Sequence, residues 1–258
     1  ADAADADRVL AVAAERHLEF LLAGDADAVA ESGIDGDAAV ERGGASVRAL
    51  PQFADQAEFE EIAYLLVHEK LPNKDELQRY KDRLKRLRGL PKALKSVLEA
   101  IPASAHPMDV MRTGVSMLGS LEPEKDDHNP YGAKGIADRL MASLGSMLLY
   151  WHHFSRHGKR IETETDDDSI GGHFLRLLHG MKPSPEWVRA MHTSLILYAE
   201  HEYNASTFAC RVIAGTGSDL YSAIAGGIGA LKGPKHGGAN EFAYEVLSRY
   251  TGPQDAEQ

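Results

Sequence analysis

Residues 132–157 read GAKGIADRLMASLGSMLLYWHHFSRH. Leu144, Met147, Leu148 and Leu149 spread apolar side chains over most of a helical circumference there. A helix of that kind is enclosed by other elements rather than laid on a surface. The stretch therefore predicts a molecule built around one long buried helix. Helical spacing continues in both directions from it. On the N-terminal side, Phe59, Ile62, Leu65 and Leu66 recur at helical spacing until Leu71-Pro72-Asn73. Asp75 is expected to open a second helix, with Leu77, Tyr80, Leu84 and Leu87 inward and Lys81, Lys85 and Arg88 outward. Pro91–Ile101 and a helix following His106-Pro107, with Met111, Val115 and Leu118 facing in, come next. Residues 122–130 form a polar loop. On the C-terminal side the helices expected are Ile170–Leu178, Pro185–Ala199, Ala205–Ala214, Leu220–Leu231 and Gly237–Arg249. No run alternates with the strict two-residue period of a strand, so the predicted fold class is all-α.

The 258 residues are 43% apolar and 26% charged, the balance of an ordinary globular protein. A formal charge of −11 argues against coating a nucleic-acid backbone. No run approaches the roughly 18 apolar residues of a membrane span. The acidic start Ala1-Asp2-Ala3-Ala4-Asp5 lacks the basic opening of a signal peptide, so a cytoplasmic location is expected. The single Cys210 excludes an internal disulfide and a cysteine zinc site. The first 50 residues differ in kind, with 11 acids against 4 bases. Asp7 could cap a helix carrying Leu10, Ala14, Leu18, Leu21 and Leu22, and residues 32–52 read as loop.

Two segments stand out as chemistry. In Leu231-Lys-Gly-Pro-Lys-His-Gly-Gly-Ala-Asn240, His236 lies between glycine pairs at an expected helix start. Glycines admit close approach of a ligand, and a helix N-terminus favours a neutral imidazole that donates a hydrogen bond. A loop with an incidental histidine is the equally weighted alternative. In Glu200-His-Glu-Tyr-Asn-Ala-Ser206, His201 and Asn204 could hold a small anion, or the segment is a buried polar turn. Ala205 rules out the His-Glu-x-x-His zinc motif. Thr163–Ser169 reads mainly as solvated loop and helix cap, and His152, His153 and His157 lack a third metal ligand. Cys210, inside an apolar helix, is expected to be inert. No metal and no bound cofactor are expected.

Three motifs in order, Ala199-Glu-His-Glu-Tyr-Asn-Ala-Ser-Thr207, Arg211-Val-Ile-Ala-Gly-Thr-Gly-Ser218 and Gly233-Pro-Lys-His-Gly-Gly-Ala-Asn-Glu241, resemble the citrate synthase family. Ala105-His-Pro-Met-Asp-Val-Met-Arg-Thr-Gly114, Leu149-Tyr-Trp151 and Glu164-Thr-Asp-Asp-Asp-Ser-Ile-Gly-Gly-His-Phe174 resemble its 2-methylcitrate synthase branch. The likeness runs from about Phe59 to Tyr250. It implies a citrate synthase-like large helical domain over 58–251, preceded by an atypical acidic segment over 1–57 and followed by a tail over 252–258. It also implies a homodimer.

The activity implied is condensation of an acyl-CoA, propionyl-CoA or acetyl-CoA, with oxaloacetate and release of CoA. This would be a step of propionate metabolism in the 2-methylcitrate branch, with acyl-CoA as co-substrate rather than cofactor. His236 falls on the histidine that hydrogen-bonds the thioester carbonyl, His201 on an oxaloacetate-binding histidine, and Asn204 lies beside it. The second catalytic histidine, the aspartate base and much of the CoA site belong to a small domain whose motifs do not occur in these residues. The small domain is therefore expected to be absent or truncated, and catalysis by this chain alone to be impaired. A non-catalytic helical scaffold, a regulatory paralogue or an engineered large-domain piece is the alternative.

Overall fold

The computed structural model describes residues 54, 56–125, 130–199, 204–237, 246, 249 and 250. The expected helix near Asp7, the loop over 32–52, most of the expected last helix and the tail lie outside the described residues. Within them the regular structure is entirely helical: α1 (Phe59–His68), α2 (Lys74–Arg86), α3 (Lys92–Ala100), α4 (Pro107–Leu121), α5 (Pro130–His157), α6 (Ile170–His179), α7 (Pro185–Tyr198), α8 (Ala205–Ala214) and α9 (Leu220–Leu231).

The helix starts follow local chemistry. Asn73 accepts the Glu76 amide while Glu76 reaches back to the Asn73 amide, so α2 opens at Lys74, one residue before Asp75. Ser169, Ser184, Asn204 and Asp219 cap α6, α7, α8 and α9 with their side-chain oxygens. Glu69 and Gly180 end α1 and α6 in the left-handed conformation.

At 28 residues, α5 runs roughly 42 Å through the centre. Leu140, Leu144, Met147, Leu148, Leu149 and Trp151 are each at most 2% exposed. It packs against α1, α2, α3, α4, α6 and α9. Its buried charged groups, Asp138 and Arg139, each have partners. Asp138 accepts from Tyr80 Oη at 2.9 Å and pairs with Arg83 at 2.7 Å. Arg139 grips Glu122 through two nitrogens and also donates to the Leu87 and Gly89 carbonyls.

Arg88 does not look outward. It is 1% exposed and donates to the Thr165, Asp167 and Ser169 carbonyls at 3.1, 2.7 and 3.0 Å. Helical spacing placed it on the outer face, but α2 ends at Arg86, so the extrapolated face no longer applies two residues later. Residues 163–169 correspondingly form more than a solvated loop. They are a strap with Thr163 and Ser169 buried and Asp167 paired to Arg176, and only their capping role stands as expected.

Candidate functional site

The helices α8 and α9 form a close hairpin. A Cβ on Gly226 would fall 2.1 Å from Ile213 Cδ1, so the two helices touch there through glycine. Cys210 Sγ donates to the Ala223 carbonyl at 2.9 Å, and burial pushes its thiol up to about 12. That fits the inert role expected of it. The chain leaves α9 at Leu231 and turns back on itself. The His236 amide donates to the Gly233 carbonyl, and the Gly237 amide to the Leu231 carbonyl, both at 2.9 Å. A Cβ on Gly237 would lie 2.3 Å from that same Leu231 carbonyl oxygen, which is why the position takes glycine.

This turn brings the His236 ring to the start of α8. Its Nε2 lies 2.9 Å from Ser206 Oγ and 3.3 Å from the Ser206 amide. Asn204 Oδ1 accepts the Thr207 amide at 2.6 Å and receives Ser206 Oγ at 2.8 Å. The helix end that meets the imidazole is thus the N-terminus of α8. The helix expected from Gly237, whose start was to meet the ring, lies mostly outside the described residues.

Nε2 is thus held by a backbone N–H and by a hydroxyl that can donate or accept, so the ring's tautomer turns on the direction of the Ser206 O–H. In the direction that satisfies Asn204 Oδ1, the hydroxyl offers Nε2 a lone pair. An imidazole N–H is the kind of group that donates to an oxygen on which negative charge develops.

Two of the three expected site residues, His236 and Asn204, are joined through Ser206. His201 lies outside the described residues. Ser206 was missed as a participant; its position two residues after Asn204, at the second residue of a helix, was the available signal.

Other candidates resolve differently. His153 Nε2 donates to the Leu177 carbonyl at 2.8 Å, and the rings of His152, His153 and His157 lie 5.4–6.2 Å apart. Among the described residues, Glu58, Glu60 and His192 are the group whose ligand atoms converge. Their chemistry is already spoken for in part: His192 Nδ1 accepts the Phe59 amide at 2.8 Å, and Glu58 holds Lys81 at 2.6 Å. His173 is buried between Ser146 Oγ (2.9 Å) and Thr165 Oγ1 (3.0 Å), and burial lowers it to about 3.

The chain is similar to a known family and to known proteins. The family model described as "Citrate synthase, C-terminal domain" matches residues 33–258. The 2-methylcitrate synthase of Shewanella oneidensis is 56% identical over 207 residues, 80% of this chain and 54% of that protein. Citrate synthase 2 of Bacillus subtilis is 41% identical over 211 residues, 81% of this chain and 56% of that protein. Among solved structures, the ternary complex of citrate synthase from Thermoplasma acidophilum with carboxymethyl coenzyme A and oxaloacetate is similar. It matches with TM-score 0.73 and 30% identity over 83% of this chain and 55% of that one. The chain spans about half the length of the curated relatives it matches. Helical architecture, motif order and these similarities agree: the chain belongs to the citrate synthase family.

Proposed function

We propose that this chain contributes the large helical domain of a condensing acyltransferase of the 2-methylcitrate synthase type. It would join propionyl-CoA, or acetyl-CoA, to oxaloacetate and release CoA. The observation that carries the reading is the His236 ring held through Nε2 at the Ser206 amide and hydroxyl, beside the cap residue Asn204. Removing a proton next to a thioester builds charge on the carbonyl oxygen. A donor fixed in advance stabilises that charge, an effect often worth about 3–4 kcal/mol. In this reading the His236 imidazole donates a ring N–H to the thioester oxygen. The enol carbon attacks the oxaloacetate ketone, and water then cleaves the thioester. His201 and Asn204 hold oxaloacetate, with Asn204 contributing its side-chain NH2 because its oxygen caps α8.

A carboxylate base is also required within reach of the substrate proton. The family resemblance assigns that role to the small domain. Turnover by these 258 residues alone is accordingly expected to be slow. Similarity to a Shewanella oneidensis protein named 2-methylcitrate synthase supports propionyl-CoA as the donor.

We also read the chain as one half of a homodimer. Phe208 and Val212, one turn apart on α8, are 69% and 54% exposed, and such an apolar pair suits burial against another chain.

The test is release of free CoA thiol from propionyl-CoA or acetyl-CoA with oxaloacetate, comparing wild type with His236→Ala. A loss of about 100-fold or more on substitution is expected from removal of one oxyanion donor. Equal rates in the two proteins would overturn the assignment.

A further inference from the structure

The turn carrying His236 is held at its far end as well. Lys232, the last cap residue of α9, reaches α4 and donates from Nζ to Asp109 Oδ2 at 2.6 Å. Asp109 is simultaneously fixed by Arg112, whose Nη2 lies 3.0 Å from Oδ1. Asp109 occupies the first turn of α4, which His106 caps by accepting the Met108 amide on Nδ1 at 3.1 Å. Arg112 in turn lies against Gly229 of α9, 3.7 Å from where a Cβ would stand. The lysine bond holds the Asp109 carboxyl below the usual aspartate range. The loop thus has two side-chain anchors on different helices. Ser206 on α8 holds the imidazole, and Asp109 on α4 holds the residue four positions earlier.

We infer that Asp109 and Lys232 are positioning residues for His236, acting together to set the orientation of the turn that presents its ring to Ser206. The inference rests on the functional reading only for the importance of that orientation. The geometric coupling stands on the structure alone. The pair's stabilising value is small, because Lys232 and Asp109 are 38% and 30% exposed at their side chains. Its effect is expected in where the ring sits, not in whether the protein folds. A shift of a few tenths of an ångström at Lys232 is enough to change the 3.3 Å amide contact at Nε2.

The experiment is nitrogen NMR of the histidine rings in the whole chain, with His236 assigned by comparison with His236→Gln. Wild type should show His236 with one dominant ring tautomer, set by its Ser206 contacts. In Asp109→Asn and in Lys232→Met, the ratio of Nδ1–H to Nε2–H forms should move by about two- to fivefold, the scale available to a partly exposed ion pair. The buried His173 signals should stay in place. The exchanged pair, Asp109→Lys with Lys232→Asp, should return the ratio toward wild type. Unchanged His236 signals in both single variants would overturn the inference, and so would failure of the exchanged pair to restore them in a folded protein. If one single variant does not fold, the other and the exchanged pair decide. Thiol release is read in parallel and separates the two readings. Coupling with CoA release that is the same in wild type and His236→Ala sinks the enzymatic reading and keeps the positioning pair, whereas release indifferent to Asp109 with unmoved ring signals does the reverse.

Discussion

Ser206 offers His236 two contacts of unequal rigidity. The amide is fixed by the helix, while the hydroxyl lies within hydrogen-bond distance of both Nε2 and Asn204 Oδ1. Ser206→Ala keeps the amide and removes the hydroxyl. We expect thiol release to fall about three- to tenfold, the value of one neutral hydrogen bond, with little change in melting temperature.

A second residue-scale prediction concerns Glu60. Its Oε1 takes the Ile170 amide at 2.7 Å, but its Oε2 has no hydrogen-bond partner and faces His192 Nδ1 at 3.7 Å. Burial raises this carboxyl from 4.5 to about 7. Its contribution to stability is therefore fully present below pH 4.5 and is lost as pH rises through about 7. Glu60→Gln should raise the melting temperature at pH 8 by an amount equivalent to about 1–3 kcal/mol and do little at pH 4.5, as thermal melts would show. Buried neutral His173 and His192, lowered mainly by desolvation to about 3 and about 4, act with the opposite slope. Their contribution is present above pH 6.5 and lost as pH falls toward those values.

Among elements, the strap over 163–169 depends on one guanidinium. Arg88→Met would leave three carbonyls without their charged donor. The expected loss is about 3 kcal/mol or more, or roughly 6–12 °C in Tm, read by calorimetry. The strap also shows where sequence reading stops. Helix periodicity and capping residues are local, so α8 and α9 were legible to the residue, and Asn204 and Ser206 lie where a helix start is written. Arg88 belongs to no helix, and its partners are carbonyls 77–81 residues away, which composition and spacing do not encode. The same holds for the site. His236 was legible from its glycine setting and the family motif. Its contact with the N-terminus of α8 was not, because that contact depends on how tightly Gly226 lets α8 and α9 approach.

For the molecule as a whole, the exposed Phe208 and Val212 carry the prediction. Phe208→Asp should convert a species of twice the chain mass to one of single chain mass by light scattering, with helical content retained. A single-chain mass for wild type would refute the dimer. The wider architecture was readable because one long apolar helix, α5, can only be a centre. What surrounds it was not readable as arrangement, since helix order does not state which faces meet.

The paired anchoring of His236 has a geometric corollary. α8 carries the chain away from Ser206 over 10 residues, and α9 returns it over 12. Outward and homeward legs must cancel for the imidazole to arrive beside its starting point. A single turn added to one leg would carry the ring about 5.4 Å past its mark. Lengthening is tolerable only if both legs grow together, so insertions and deletions here should come in matched sets, and the hairpin serves as the gauge by which the histidine finds its place.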